Sequence, residues 1–238
     1  MLEIFKFLMV ALFSLVITPF MAGLVDLFSE EKEINFKNIY SHRKFKPTMA
    51  LITPILLVAL FYHCGLNLQF FVYAFLTIIL IMDAFADIKA QIIPNGLNFV
   101  GFLVGAVLIY YTTIQDAMAG VDLLLGMFTG GGIFALIALF AYVAYKKEGM
   151  GMGDVKLMAV LGMFFGVYNT IQIFILSFAI GAVVSIFLMI AKIKKSSDYM
   201  AFGPFIVMAA LITMFIPYTK MFPWYLNLMD SITNLFIA

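Results

Sequence analysis

Apolar residues fall in long blocks separated by short clusters of charge. Stretches free of Asp, Glu, Lys and Arg cover 7–25, 47–82, 90–115, 123–153 (apart from charges at 146–148), 157–191 and 199–219. Crossing about 30 Å of hydrocarbon at about 1.5 Å per residue takes about 20 apolar residues in an α-helix. The blocks at 47–82 and 157–191 would be roughly 54 and 52 Å long as straight rods, too long for one pass. Each is expected to be a hairpin of two helices. Turn residues agree, at His63-Cys64-Gly65-Leu66-Asn67 in the first block and Tyr168-Asn169-Thr170 in the second. The pattern predicts eight helices, near 5–27, 48–63, 67–88, 96–113, 122–145, 154–167, 171–192 and 201–217. The fold class is therefore all-α, a polytopic membrane helical bundle. Residues 1–47 form a first transmembrane helix with a short loop, 48–217 the main bundle, and 218–238 a C-terminal segment. Within the last, the aromatic start Phe222-Pro223-Trp224-Tyr225 suits a membrane surface and makes 223–237 a candidate interfacial helix.

Composition supports lipid as the solvent. Hydrophobic residues make up 65% of the chain and charged residues 11%, against roughly 45–50% and 25% in soluble domains. No globular packing hides that much apolar surface from water. The net charge of +1 offers no basic field for nucleic acid. A single cysteine, Cys64, excludes a disulfide framework and a multi-cysteine zinc site, and His42 and His63 are too few for a histidine metal centre. No metal and no cofactor is expected.

Basic residues set the orientation. Lys32, Lys37, Arg43, Lys44, Lys46, Lys89, Lys146, Lys147, Lys156, Lys192, Lys194 and Lys195 account for 12 of the 14, and all fall on one side of the eight-helix arrangement. By the positive-inside rule that side is cytoplasmic, and both termini face outward.

Acids at membrane boundaries are the residues that lipid does not explain. Asp154 follows Gly149-Met150-Gly151-Met152-Gly153. Alternating glycine makes a poor helix and lets another backbone approach closely. The aspartate then starts a helix, as an ordinary N-cap or as a site residue. Asp87 ends the third helix on the same side, with Asp83 one turn deeper on the same face and Pro94 restarting the chain. Lys89, two residues after Asp87, bears on the charge of the site or snorkels to headgroups. Two carboxylates a few Å apart share a proton, so one accepts a proton from water while the other donates to a carbonyl oxygen. That is acid–base chemistry of the aspartic-protease kind, needing no metal or nucleophilic side chain. The competing reading is an ion- or proton-coupled transporter working through boundary aspartates.

These residues resemble the type IV prepilin peptidases. Gly151-Met152-Gly153-Asp154 is a GxGD motif extended by Val155-Lys156-Leu157-Met158. Asp87 stands seven residues before Pro94, and Ala201-Phe202-Gly203-Pro204-Phe205 resembles the family's late Phe-Gly-Pro-Phe motif. The likeness covers about residues 45–217 and implies a membrane-embedded aspartic endopeptidase, with 48–217 as its peptidase bundle. Such enzymes remove the basic leader of prepilins or pseudopilins, after a Gly and before an apolar helix, at the cytoplasmic face of the inner membrane. They serve type IV pili and protein secretion. The resemblance assigns catalysis to Asp87 and Asp154. Gly151 and Gly153 shape the approach, and Asp83, Lys89, Pro94 and Lys156 are further candidates around the pair. Bifunctional members carry a larger cytoplasmic domain with paired CxxC motifs that bind zinc, and they methylate the new N-terminus. Here 28–47 is short and holds no cysteine, so neither zinc nor N-methyltransferase activity is expected. The implied partners are the prepilin or pseudopilin substrate and the lipid bilayer.

Overall fold

In hydrocarbon every backbone amide must be satisfied inside its own segment or a closed barrel, and this chain does so with helices. A computed structural model describes residues 2–29, 47–146, 151–193 and 200–223. The described residues form α1 (Leu2–Ser29), α2 (Pro47–Cys64), α3 (Leu68–Ala90), α4 (Asn95–Gln115), α5 (Ala117–Tyr145), α6 (Met152–Ile190), α7 (Gly203–Phe215) and the short α8 (Tyr218–Met221). Helices α3 to α6 are long and apolar enough to cross a membrane, and shorter apolar stretches occupy Met9–Val25, Thr48–Cys64 and Gly203–Phe215. The chain is a multi-pass helical membrane protein. The loop at 30–46 and the proposed interfacial segment, beyond residue 223, lie outside the described residues.

The first hairpin turns where its residues predict. Gly65 takes φ 69°, and Asn67 Oδ1 accepts the Phe70 amide at 2.9 Å to cap α3. Helix α5 begins five residues earlier than the apolar block implies. Asp116 caps it by accepting the Met118 and Ala119 amides, so the charge that ends the apolar run also starts the helix.

The second hairpin does not turn at Tyr168-Asn169-Thr170. Those residues are helical, and Asn169 and Thr170 bond back to the carbonyls of Phe165 and Gly166. The break is at Gly166, with φ 70° and ψ −178°, a region open essentially to glycine alone. Across it, Asp122 of α5 accepts the Val167 amide at 3.2 Å, satisfying a donor that the second half of α6 leaves open. The chain reverses here. A methyl group built on Gly130 of α5 would lie 2.9 Å from Thr170 Cγ2 and 3.0 Å from the Met158 carbonyl carbon. Those residues would be roughly 18 Å apart along a straight helix. The two halves of α6 are therefore antiparallel and embrace α5. Counting them separately, α1 to α7 supply eight apolar rods among the described residues, the expected number.

Lipid tails are as apolar as leucine, so helices in a membrane associate through close packing rather than water exclusion. The α5–α6 seam is built this way. Gly126 lies against Gly162 and Gly166, and Gly131 against Ala159. Gly101 and Gly105, one turn apart on one face of α4, seat that helix on Val160 and Met163. Phe134, fully buried, sits between Phe174, Phe178 and Phe202 and joins α5, α6 and the start of α7.

Candidate active site

Four helix ends converge at one end of the bundle. The last turn of α3 carries Asp87. The first turns of α4, α6 and α7 carry Asn95, Asp154 and Gly203. Each start has a local cause. Helix α3 stops because Gln91 turns left-handed at φ 56°, donating its amide to the Asp87 carbonyl. Pro94, at φ −64°, then caps α4 without needing an amide partner. Gly151 caps α6, its carbonyl accepting the Asp154 amide at 3.1 Å. Pro204 stands in the first turn of α7.

Asp87, Gln91, Ile92, Ile93, Asn95, Gly151, Met152, Gly153, Asp154 and Lys156 line one cavity of about 250 Å³. The two acids are 67 positions apart in the chain, and both are largely buried, at 4% and 6% exposure. Gly153 packs against Ile93, where a methyl group would come within 2.9 Å of its Cβ. That contact presses the GxGD segment against the link between α3 and α4. Lys156 crosses the mouth to donate to Asn95 Oδ1 at 2.7 Å, tying α6 to α4.

Of the residues singled out in sequence, Asp87, Asp154, Gly151, Gly153 and Lys156 meet at this cavity, and Pro94 stands between two of its lining residues. Asp83 does not reach it. Asp83 lies one turn deeper, 1% exposed, and its two carboxyl oxygens have no hydrogen-bond partner among the described residues. Lys89 lies on the exposed side of α3, outside the lining.

Gly203 is a contributor that the sequence left without a role. Its amide donates to Asp87 Oδ2 at 2.9 Å, and a methyl group there would lie 2.6 Å from that oxygen. The start of α7 thus aims an amide and the positive end of a helix dipole at Asp87. The Phe-Gly-Pro-Phe motif was the available signal.

Residues 74–186, which hold both acids, match the type IV leader peptidase family. The chain is 28% identical over 174 residues to a prepilin leader peptidase/N-methyltransferase of Xanthomonas campestris pv. campestris, covering 71% of this chain and 58% of the relative. It is 27% identical over 173 residues to one of Legionella pneumophila, covering 71% and 58%. It is 35% identical over 138 residues to one of Bacillus subtilis, covering 57% and 52%. The chain thus spans between half and three-fifths of the length of these curated relatives. No solved structure matches it.

Proposed function

We propose that the chain is an aspartic endopeptidase that removes the basic leader of type IV prepilins or pseudopilins at the cytoplasmic face of the inner membrane. The observation carrying this reading is that Asp87 and Asp154, brought by different helices, line one cavity at a helix-end rim of a membrane bundle. The leader peptidase relatives supply the substrate class, and the concentration of Lys and Arg on the loops of that side supplies the orientation.

The cavity accommodates water and a peptide group. One carboxylate takes a proton from water as its oxygen attacks the scissile carbonyl carbon. The other carboxyl protonates the carbonyl oxygen. Collapse of the tetrahedral intermediate breaks the C–N bond, and the amine leaves with a proton from the pair. The Gly203 amide fixes Asp87 for this exchange, Gly151 leaves the space beside the Asp154 carboxyl open, and Gly153 lets the start of α6 press on Ile93. Lys156 and Asn95 tie α6 to α4 at the mouth. Asp83 acts from behind the pair, and Lys89 meets headgroups and solvent.

Methyl transfer is not part of this reading, since the segment expected to carry a zinc-binding domain in bifunctional members has no cysteine. Transfer of a methyl group by the purified chain would overturn that part. The deciding experiment is cleavage of a prepilin by purified chain in lipid. Asp87→Asn and Asp154→Asn, separately, are expected to abolish leader removal while the protein still inserts. Full cleavage by either variant would reject the pair. Ion-coupled uptake into proteoliposomes would instead favour the transporter alternative, which none of the relatives described above supports.

A further inference from the structure

A second concavity continues the first. Asn95, Asn98, Phe99, Phe102, Lys156, Ala159 and Val160 line a groove of about 370 Å³ between α4 and α6. Asn95 and Lys156 belong to both it and the catalytic cavity. Helix α4 and the first half of α6 run parallel here, since Asn95 meets Lys156, Gly101 meets Val160 and Gly105 meets Met163. The groove therefore leaves the polar mouth and descends roughly 10 Å, about two helical turns, into the apolar depth of the bundle. Its outer wall is open to lipid: Phe99 is 62% and Phe102 43% exposed.

Asn98 is the anomaly in this wall. It is 4% exposed, and neither its amide nitrogen nor its oxygen has a hydrogen-bond partner among the described residues. Buried polar groups without partners are rare in native proteins and call for an explanation. A carboxamide offers one donor edge and one acceptor, the complement of a single peptide group. A peptide bond must leave the helix before it is cleaved, so a substrate at this rim presents unpaired main chain next to its apolar helix.

We propose that this groove receives the apolar helix of the substrate beside the scissile bond, and that Asn98 pairs with the unwound main chain joining the two. The inference rests on the peptidase reading and names where that substrate lies. Asn98 is a positioning residue, and the polar mouth followed by an apolar wall matches a chain that is extended at the cut and helical beyond it.

A prepilin carrying a benzophenone two turns past the scissile bond, captured by the Asp154→Asn variant in nanodiscs, tests the groove. Cross-links to Phe99 and Phe102 are expected. Labelling of the apolar pocket between α1, α2 and α3, around Phe13, Phe70 and Phe71, would overturn the placement. Asn98→Leu tests the amide. It removes an unpartnered buried group, so thermal stability is expected to hold or rise, while KM for the prepilin rises about tenfold and kcat changes less. Unchanged KM would remove Asn98 from recognition. If the wild-type chain cleaves the prepilin but the label maps elsewhere, the groove alone fails. If the wild-type chain does not cleave at all, the peptidase reading fails with it.

Discussion

At the scale of single residues, the candidate site depends on how closely a backbone can come to a carboxylate. Gly203 is the sharpest case, because a methyl group there would crowd Asp87 Oδ2 at 2.6 Å. Gly203→Ala is expected to insert normally and to lower kcat by about two orders of magnitude, the usual cost of misplacing a reacting group by about 1 Å. Single-turnover cleavage measures this, and wild-type kcat would separate Gly203 from catalysis. Asp83→Asn should behave oppositely. It replaces an acid whose oxygens have no partner among the described residues, and appreciable cleavage is expected to remain. A loss as deep as that of Asp87→Asn would place Asp83 in the reacting set. Both acids of the pair were legible in the sequence, since charge at a membrane boundary stands out against an apolar chain. Gly203 stood in a motif without a role, and Asn98 stood in none. A glycine acting through its amide and an asparagine lining a groove both look ordinary until their neighbours are known.

At the scale of elements, turns with local chemistry were readable and turns made by distant partners were not. The Gly65-Leu66-Asn67 turn announces itself, because Gly65 supplies the left-handed residue and Asn67 the cap. The reversal of α6 lies within Phe164-Phe165-Gly166-Val167, where the sequence shows little besides apolar bulk. Its determinants are one glycine backbone and Asp122, which stands 44 positions earlier. The nearby Asn169 and Thr170 look like turn residues, yet both donate to carbonyls of their own helix, and Asn169 Oδ1 also accepts the Tyr218 amide at the start of α8. Gly166→Ala forces a side chain into a forbidden backbone region and against Asp122, and is expected to cost about 1–3 kcal/mol. Asp122→Ala removes the cap and is expected to cost about 1 kcal/mol. Steric trapping or denaturant unfolding in mixed micelles reads both. Equal stability of the two variants and wild type would show that the turn is held elsewhere.

At the scale of the whole molecule, the number of apolar rods followed from bilayer thickness and the lengths of the charge-free blocks, whereas their order in space did not. Hydropathy counts passes but is silent about which rods touch. The small residues carry that information. Gly101, Gly105, Gly126, Gly130, Gly131 and Gly162 mark the faces where α4, α5 and α6 meet. A leucine at Gly162 has no room beside the backbone of α5, where even a methyl group would lie 2.6 Å from the Met127 amide nitrogen. Gly162→Leu is therefore expected to separate the two helices, lower thermal stability and reduce cleavage, although Asp87 and Asp154 are intact. Wild-type stability and activity would remove the seam from the architecture that aligns the acids.

The reversal at Gly166 also sets the side of the bundle on which the rest of the chain emerges. The 39 residues of α6 would form a rod of roughly 58 Å if drawn out straight, nearly twice the hydrocarbon span. Should the insertion machinery thread that segment as one pass instead of two, everything downstream would emerge on the wrong side. Gly203 would then be stranded across the bilayer from Asp87, so the two-pass path of this one segment is what lets the amide that starts α7 meet the acid that ends α3.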